Sequence, residues 1–76
     1  MNALQNKLIK TGYKATKWSS NDFMWMVRKD SVKVVFEVKA GTWVVQKLNG
    51  RQLVWKAEFT ASTPLAVIES TIKAAQ

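Results

Sequence analysis

Residues 32–59 read VKVVFEVKAGTWVVQKLNGRQLVWKAEF. Val32, Val34, Phe36 and Val38 alternate with Lys33, Val35, Glu37 and Lys39, the period of a β-strand. Asn49-Gly50 separates two further runs, 42–48 and 51–60. Such a pair between alternating hydrophobic residues signals a hairpin, because a primed turn needs positive φ angles that Asn and Gly tolerate. The facing of these strands depends on the junction at Ala40-Gly41. A two-residue Ala40-Gly41 loop would put Phe36 beside Val45 and give both faces mixed character; a three-residue loop of Lys39, Ala40 and Gly41, with Gly41 left-handed, is preferred because it fits a bulged hairpin. It sets Phe36 beside Val44 and Val34 beside Gln46. A two-residue Asn49-Gly50 loop then sets Val44 opposite Trp55, Trp43 opposite Lys56 and Val45 opposite Val54.

Working outward, Phe23, Trp25 and Val27 alternate with Met24, Met26 and Arg28, so residues 23–28 read as another strand. A Lys29-Asp30 turn would join it to the strand that starts at Val32. Residues 13–18 form a short strand before the turn-rich SSND of residues 19–22. Leu4 and Leu8 lie one helical turn apart, and Gly12 is placed to close a helix over 3–11. At the other end Thr63 suits an N-cap, Pro64 suits the first helical position, and Leu65, Ile68 and Ile72 make an apolar stripe. The expectation is an α+β fold. It is an antiparallel meander of four to five strands, with a short N-terminal helix and a C-terminal helix packed on the sheet.

The expected core face carries Trp18, Phe23, Trp25, Val27, Val32, Val34, Phe36, Val38, Val44, Leu48, Leu53, Trp55, Ala57 and Phe59. Trp55 is expected to be buried there and Trp43 to be partly exposed. The second face then holds an apolar strip of Met24, Met26, Val35, Val45 and Val54. Interleaved with it are Tyr13, Lys17, Arg28, Lys33, Trp43, Lys47 and Lys56. Glu37 and Glu58 lie toward one end.

A chain of 76 residues is one domain, residues 1–76. Domains of this size bury only about 60% of their unfolded surface. The absence of Cys and His excludes disulfides, thiolate chemistry and the usual zinc sites. No cofactor or metal site is expected. Catalysis is not expected either, because five acidic residues offer only Glu37 and Glu58 as a same-face pair, and each has a Lys neighbour. No apolar run is long enough for a signal peptide or a membrane span, which leaves a cytoplasmic protein without membrane contact as the default. The net charge of +7, from 12 Lys and Arg against 5 Asp and Glu, favours polyanions.

Three coverings compete for the second face. Nucleic acid is favoured, with Lys and Arg on phosphates and with Tyr13 and Trp43 stacking bases of a single-stranded or irregular strand. A protein partner could use the apolar strip, as an accessory factor or inhibitor meeting a host protein, or as a homodimer. A helix laid over this face is the structural alternative.

The tail WKAEFTASTPLAVIESTIKAA, with Trp55, Phe59, Thr60, Thr63, Pro64, Val67 and Ile68, resembles the end of small uncharacterised bacterial and phage domains. The resemblance covers about a quarter of the chain. It implies structural roles for these residues and an origin among bacterial accessory or mobile-element proteins. The order of a meander followed by a C-terminal helix also resembles single-strand binders of the positive-cofactor type. Those dimerise through the helix and bind DNA on the sheet; the likeness is one of element order.

Overall fold

The computed structural model describes residues 2–16 and 24–76. Helix α1 (Ala3–Lys10) leads into strands β1 (Lys14–Thr16), β2 (Met24–Lys29), β3 (Val32–Glu37), β4 (Thr42–Asn49) and β5 (Gln52–Phe59). Helix α2 (Leu65–Ala75) closes the chain. Neighbouring strands pair antiparallel in the order β1-β2-β3-β4-β5. The α+β class and the meander flanked by two helices are as the sequence indicates. The expectations for Lys17, Trp18 and Phe23 fall outside the described residues.

The Asn2 side chain accepts the Gln5 N–H at 3.0 Å and so starts α1. At the start of α2, Pro64 rather than Thr63 is the N-cap, and no side-chain bond supports it. Ile68, Ile72 and Ala75 form the buried stripe of α2, whereas Leu65 is exposed. Both helices lie on one face of the sheet, where Leu4, Leu8, Ile68, Ile72 and Ala75 enclose Val27, Val34 and Val45. Gln5 is fully buried under α1 and donates through Nε2 to the Trp25 carbonyl at 2.6 Å. Lys7 and Glu69 join the helices at 3.5 Å on the outside. Among the described residues no helix covers the opposite face, so it is called the open face below.

Three turns set the register, and they depart from expectation in different ways. Between β2 and β3 the loop is Asp30-Ser31, with Lys29 opposite Val32 and Val27 opposite Val34. This slips the expected pairing by two residues. Faces alternate with period two, so they are unchanged.

Between β3 and β4 the loop has four residues, 38–41, closed by the pair Glu37 and Thr42. The Gly41 N–H reaches back to the Glu37 carbonyl at 2.8 Å, and Gly41 takes a φ of +67°. Val38 is thus spent in the turn instead of in the strand. That one residue reverses the facing of β4: Phe36 lies opposite Trp43 and Val34 opposite Val45. Trp43 and Val45 enter the core, while Val44 and Gln46 move to the open face.

Between β4 and β5, Asn49 pairs with Gln52, and Gly50 (φ +61°) and Arg51 make the turn. Gly in the first central position with positive φ suits a type II′ turn. Leu48 then lies opposite Leu53 but Lys47 lies opposite Trp55, so Val54 is an extra residue at a β-bulge. The bulge reverses facing once more. Ala57 and Phe59 therefore lie on the helix-covered face as expected. Trp55 lies there too, but beyond the cover of α2, and it is exposed.

The helix-covered face is organised in rows that run across the strands. Trp25, Phe36, Trp43 and Phe59 are successive cross-strand neighbours. The Phe36 and Trp43 rings are 4.7 Å apart and tilted by 51°, an attractive arrangement for aromatic pairs. Beside them runs a row of Ala15, Val27, Val34, Val45 and Ala57.

Candidate functional site

The open face is organised in the same way. Its first row is Lys14, Arg28, Lys33, Gln46 and Lys56, each the direct partner of the next. The row crosses all five strands. With strands about 4.8 Å apart, it spans roughly 19 Å. Four of its five members are cations. Lys14 with Arg28 and Arg28 with Lys33 are like charges directly opposite one another, pairs that by themselves disfavour a sheet.

Arg28 is oriented by two backbone carbonyls. Its Nε donates to Asp30 at 3.1 Å and its Nη2 to Gly50 at 3.3 Å, which ties the β2–β3 turn to the β4–β5 turn. A guanidinium has five N–H donors. Two are used here, leaving the others able to meet an anion in the planar fork geometry that suits phosphate. Lys56 bridges Glu58 at 3.0 Å with both side chains well exposed. Such a surface pair is worth little and is readily exchanged for another partner.

The second row of the open face is Met26, Val35, Val44 and Glu58. Met26 and Val35 are buried, and Met24, one pleat further along, is 40% exposed. Met24, Met26, Val35 and Val44 line a shallow hollow bordered by Lys33, Gln46, Lys56 and Glu58. Glu37 stands at the far end, where it accepts from the Thr42 hydroxyl at 3.3 Å. Cations are thus gathered toward the end of the face that holds the Gly50 turn, and acids toward the other.

Of the residues singled out in the sequence, Arg28, Lys33, Lys56, Met24, Met26 and Val35 do share this face. Four do not. Trp43 is only 6% exposed and packs on Phe36 beneath the helices. Tyr13 is 2% exposed in the same core, and its hydroxyl accepts from Gln76 Nε2 at 2.9 Å. Neither ring is available to stack a base. Val45 is fully buried among the core valines. Lys47 reaches over the helix-covered face, where its ammonium donates to the Ser31 hydroxyl at 2.8 Å and to the Ala75 carbonyl at the end of α2. It supports a helix C-terminus, where a cation is stabilising. Val54 sits at the bulge and is 58% exposed.

Lys14 and Gln46 complete the cationic row and were not singled out in the sequence. The signal for Lys14 was its position one residue after an apolar Tyr13, which places it on the opposite face. Gln46 needed the register of β4. Among the described residues no cluster of carboxylates could hold a metal, and no helix is long and apolar enough to cross a membrane. Comparison with known proteins finds no matching family model, curated protein or solved structure.

Proposed function

We propose that this protein is a non-enzymatic binder of single-stranded or irregular nucleic acid, which lies along the open face of the sheet. The observation that carries the reading is the row Lys14, Arg28, Lys33, Gln46 and Lys56. A small domain that places like charges on adjacent strands forgoes stability, and a polyanion across the row restores it. Phosphates would meet the row, and sugars and bases would lie against Met24 and Val44, the accessible apolar members of the hollow. Because Tyr13 and Trp43 are in the core, contacts to the backbone dominate. Such contacts carry little sequence information.

The test is a titration of fluorescent oligonucleotides of several sequences at a series of salt concentrations. Four phosphate contacts predict a slope of about −2.8 for log affinity against log salt, from about 0.7 per contact on single strands. Replacing Lys14, Arg28, Lys33 or Lys56 singly by Gln should lower affinity for every sequence and flatten the slope by about 0.7 each. Lys10→Gln, on α1, should leave the slope unchanged. No binding by the wild type at low salt, or row variants that bind as it does, defeats the reading. The apolar hollow would then favour a protein partner, whose affinity responds weakly to salt.

A further inference from the structure

The outer side of β5 has no described strand beside it. The other edge, β1, is three residues long, whereas β5 has eight. A long edge with unpaired N–H and C=O groups is a template for another strand, and proteins usually blunt it. Here the bulge at Val54 disturbs the start of the edge, but residues 55–59 run regularly along β4. These residues read WKAEF. About Ala57 the pattern is symmetric in kind and opposite in charge: aromatic, cation, small, anion, aromatic.

We propose that β5 pairs antiparallel with β5 of a second copy of this chain, across a twofold axis at Ala57, to form a continuous sheet through both copies. In an antiparallel ladder, opposed residues turn their backbone groups the same way, either both toward the partner or both away. A strand that meets its own copy therefore has its axis at a residue. Residues 55–59 offer five positions. An axis at Lys56 or at Glu58 sets two like charges face to face. An axis at Trp55 sets Lys56 against the bulged Val54, and one at Phe59 falls at the end of the strand. The axis at Ala57 sets Lys56 opposite the second copy's Glu58, twice, and Trp55 opposite its Phe59, twice.

Each face of the sheet gains from this register. On the open face, Lys56 and Glu58 already bridge within one chain at 3.0 Å, and the second copy turns that pair into a four-membered alternating cluster. On the helix-covered face, exposed Trp55 acquires an aromatic cross-strand partner. A twofold interface of this kind is self-complementary and closes at two copies.

Sedimentation of the protein, without nucleic acid, from micromolar to millimolar concentration tests the proposal separately from the polyanion reading. Wild type should reach twice the mass of the chain. K56E and E58K each set like charges across the axis and should stay monomeric while retaining the wild-type circular dichroism. A mixture of K56E and E58K should form a mixed dimer, because each strand then carries the charges the other lacks. The double variant K56E/E58K should dimerise again. A wild type that remains monomeric throughout, or single variants that associate as well as it does, overturns the proposal. A mixture that fails to associate overturns the axis at Ala57.

Discussion

Trp43 and Lys47 sit four residues apart on one strand, and both point under the helices. The Trp43 ring fills the space between Phe36 and Phe59 in the aromatic row. Lys47 spans the edge of the core to the last turn of α2. Each is a residue type common at binding surfaces, yet here each holds the fold together. Trp43→Ala should cost on the order of 3–5 kcal/mol, the usual range for a buried Trp. Against a total stability of about 5–15 kcal/mol, that leaves a domain near its unfolding limit. Trp43→Phe should recover most of that loss, because an aromatic neighbour for Phe36 remains. Lys47→Ala should cost about 1–3 kcal/mol through the lost charged hydrogen bonds. Thermal melts give both figures, and oligonucleotide titration gives the contrast. Lys47→Ala, refolded at low temperature, should keep the wild-type salt slope. A flattened slope would return Lys47 to the nucleic-acid contacts.

At the scale of the strand, what counts is parity. The β2–β3 hairpin slipped by two residues from expectation and kept every face, so Met24, Met26, Arg28, Lys33 and Val35 were legible in the sequence. The β3–β4 loop took one residue more than expected and turned β4 over. Nothing in VKAGT distinguishes a three-residue loop from a four-residue one, since both end in a left-handed Gly. The bulge at Val54 then reversed the facing again, which restored Ala57 and Phe59 to the helix-covered face. A bulge leaves no residue-type signature in QLVWK, so the expected facing of β5 rested on two departures that cancel. The bulge can be tested directly. Deleting Val54 should leave Leu48 opposite Leu53 and Lys47 opposite Trp55, with every later pair intact. That deletion should fold, and with its edge straightened it should associate more strongly than wild type. Deleting Ala57 instead shifts Glu58 and Phe59 to the wrong faces and should prevent folding. Circular dichroism and sedimentation of the two deletions distinguish them. A folded Ala57 deletion beside an unfolded Val54 deletion would refute the assigned bulge.

For the molecule as a whole, the two faces divide the work. The helix-covered face gathers aromatic and aliphatic rows and supplies cohesion, while the open face concentrates repulsion in one cationic row. The strand order has a further consequence, in the time domain. Every ladder in the sheet joins strands that are neighbours along the chain. The three ladders from β2 to β5 can each form by closing a short turn, without waiting for distant segments to meet. The contacts that span the chain, the core packing of Leu4 and Leu8 with Ile68 and Ile72 and the ties of Lys7 with Glu69 and Tyr13 with Gln76, involve the two helices rather than the strand ladders. Chains dominated by local contacts fold quickly, and mixed α/β domains of this size do so on the order of milliseconds. Stopped-flow refolding followed by Trp fluorescence should show one fast exponential phase. A phase lasting many seconds that persists in Pro64→Ala, and so is not isomerisation of the Thr63-Pro64 bond, would mean that the helices, not the hairpins, must find their places first.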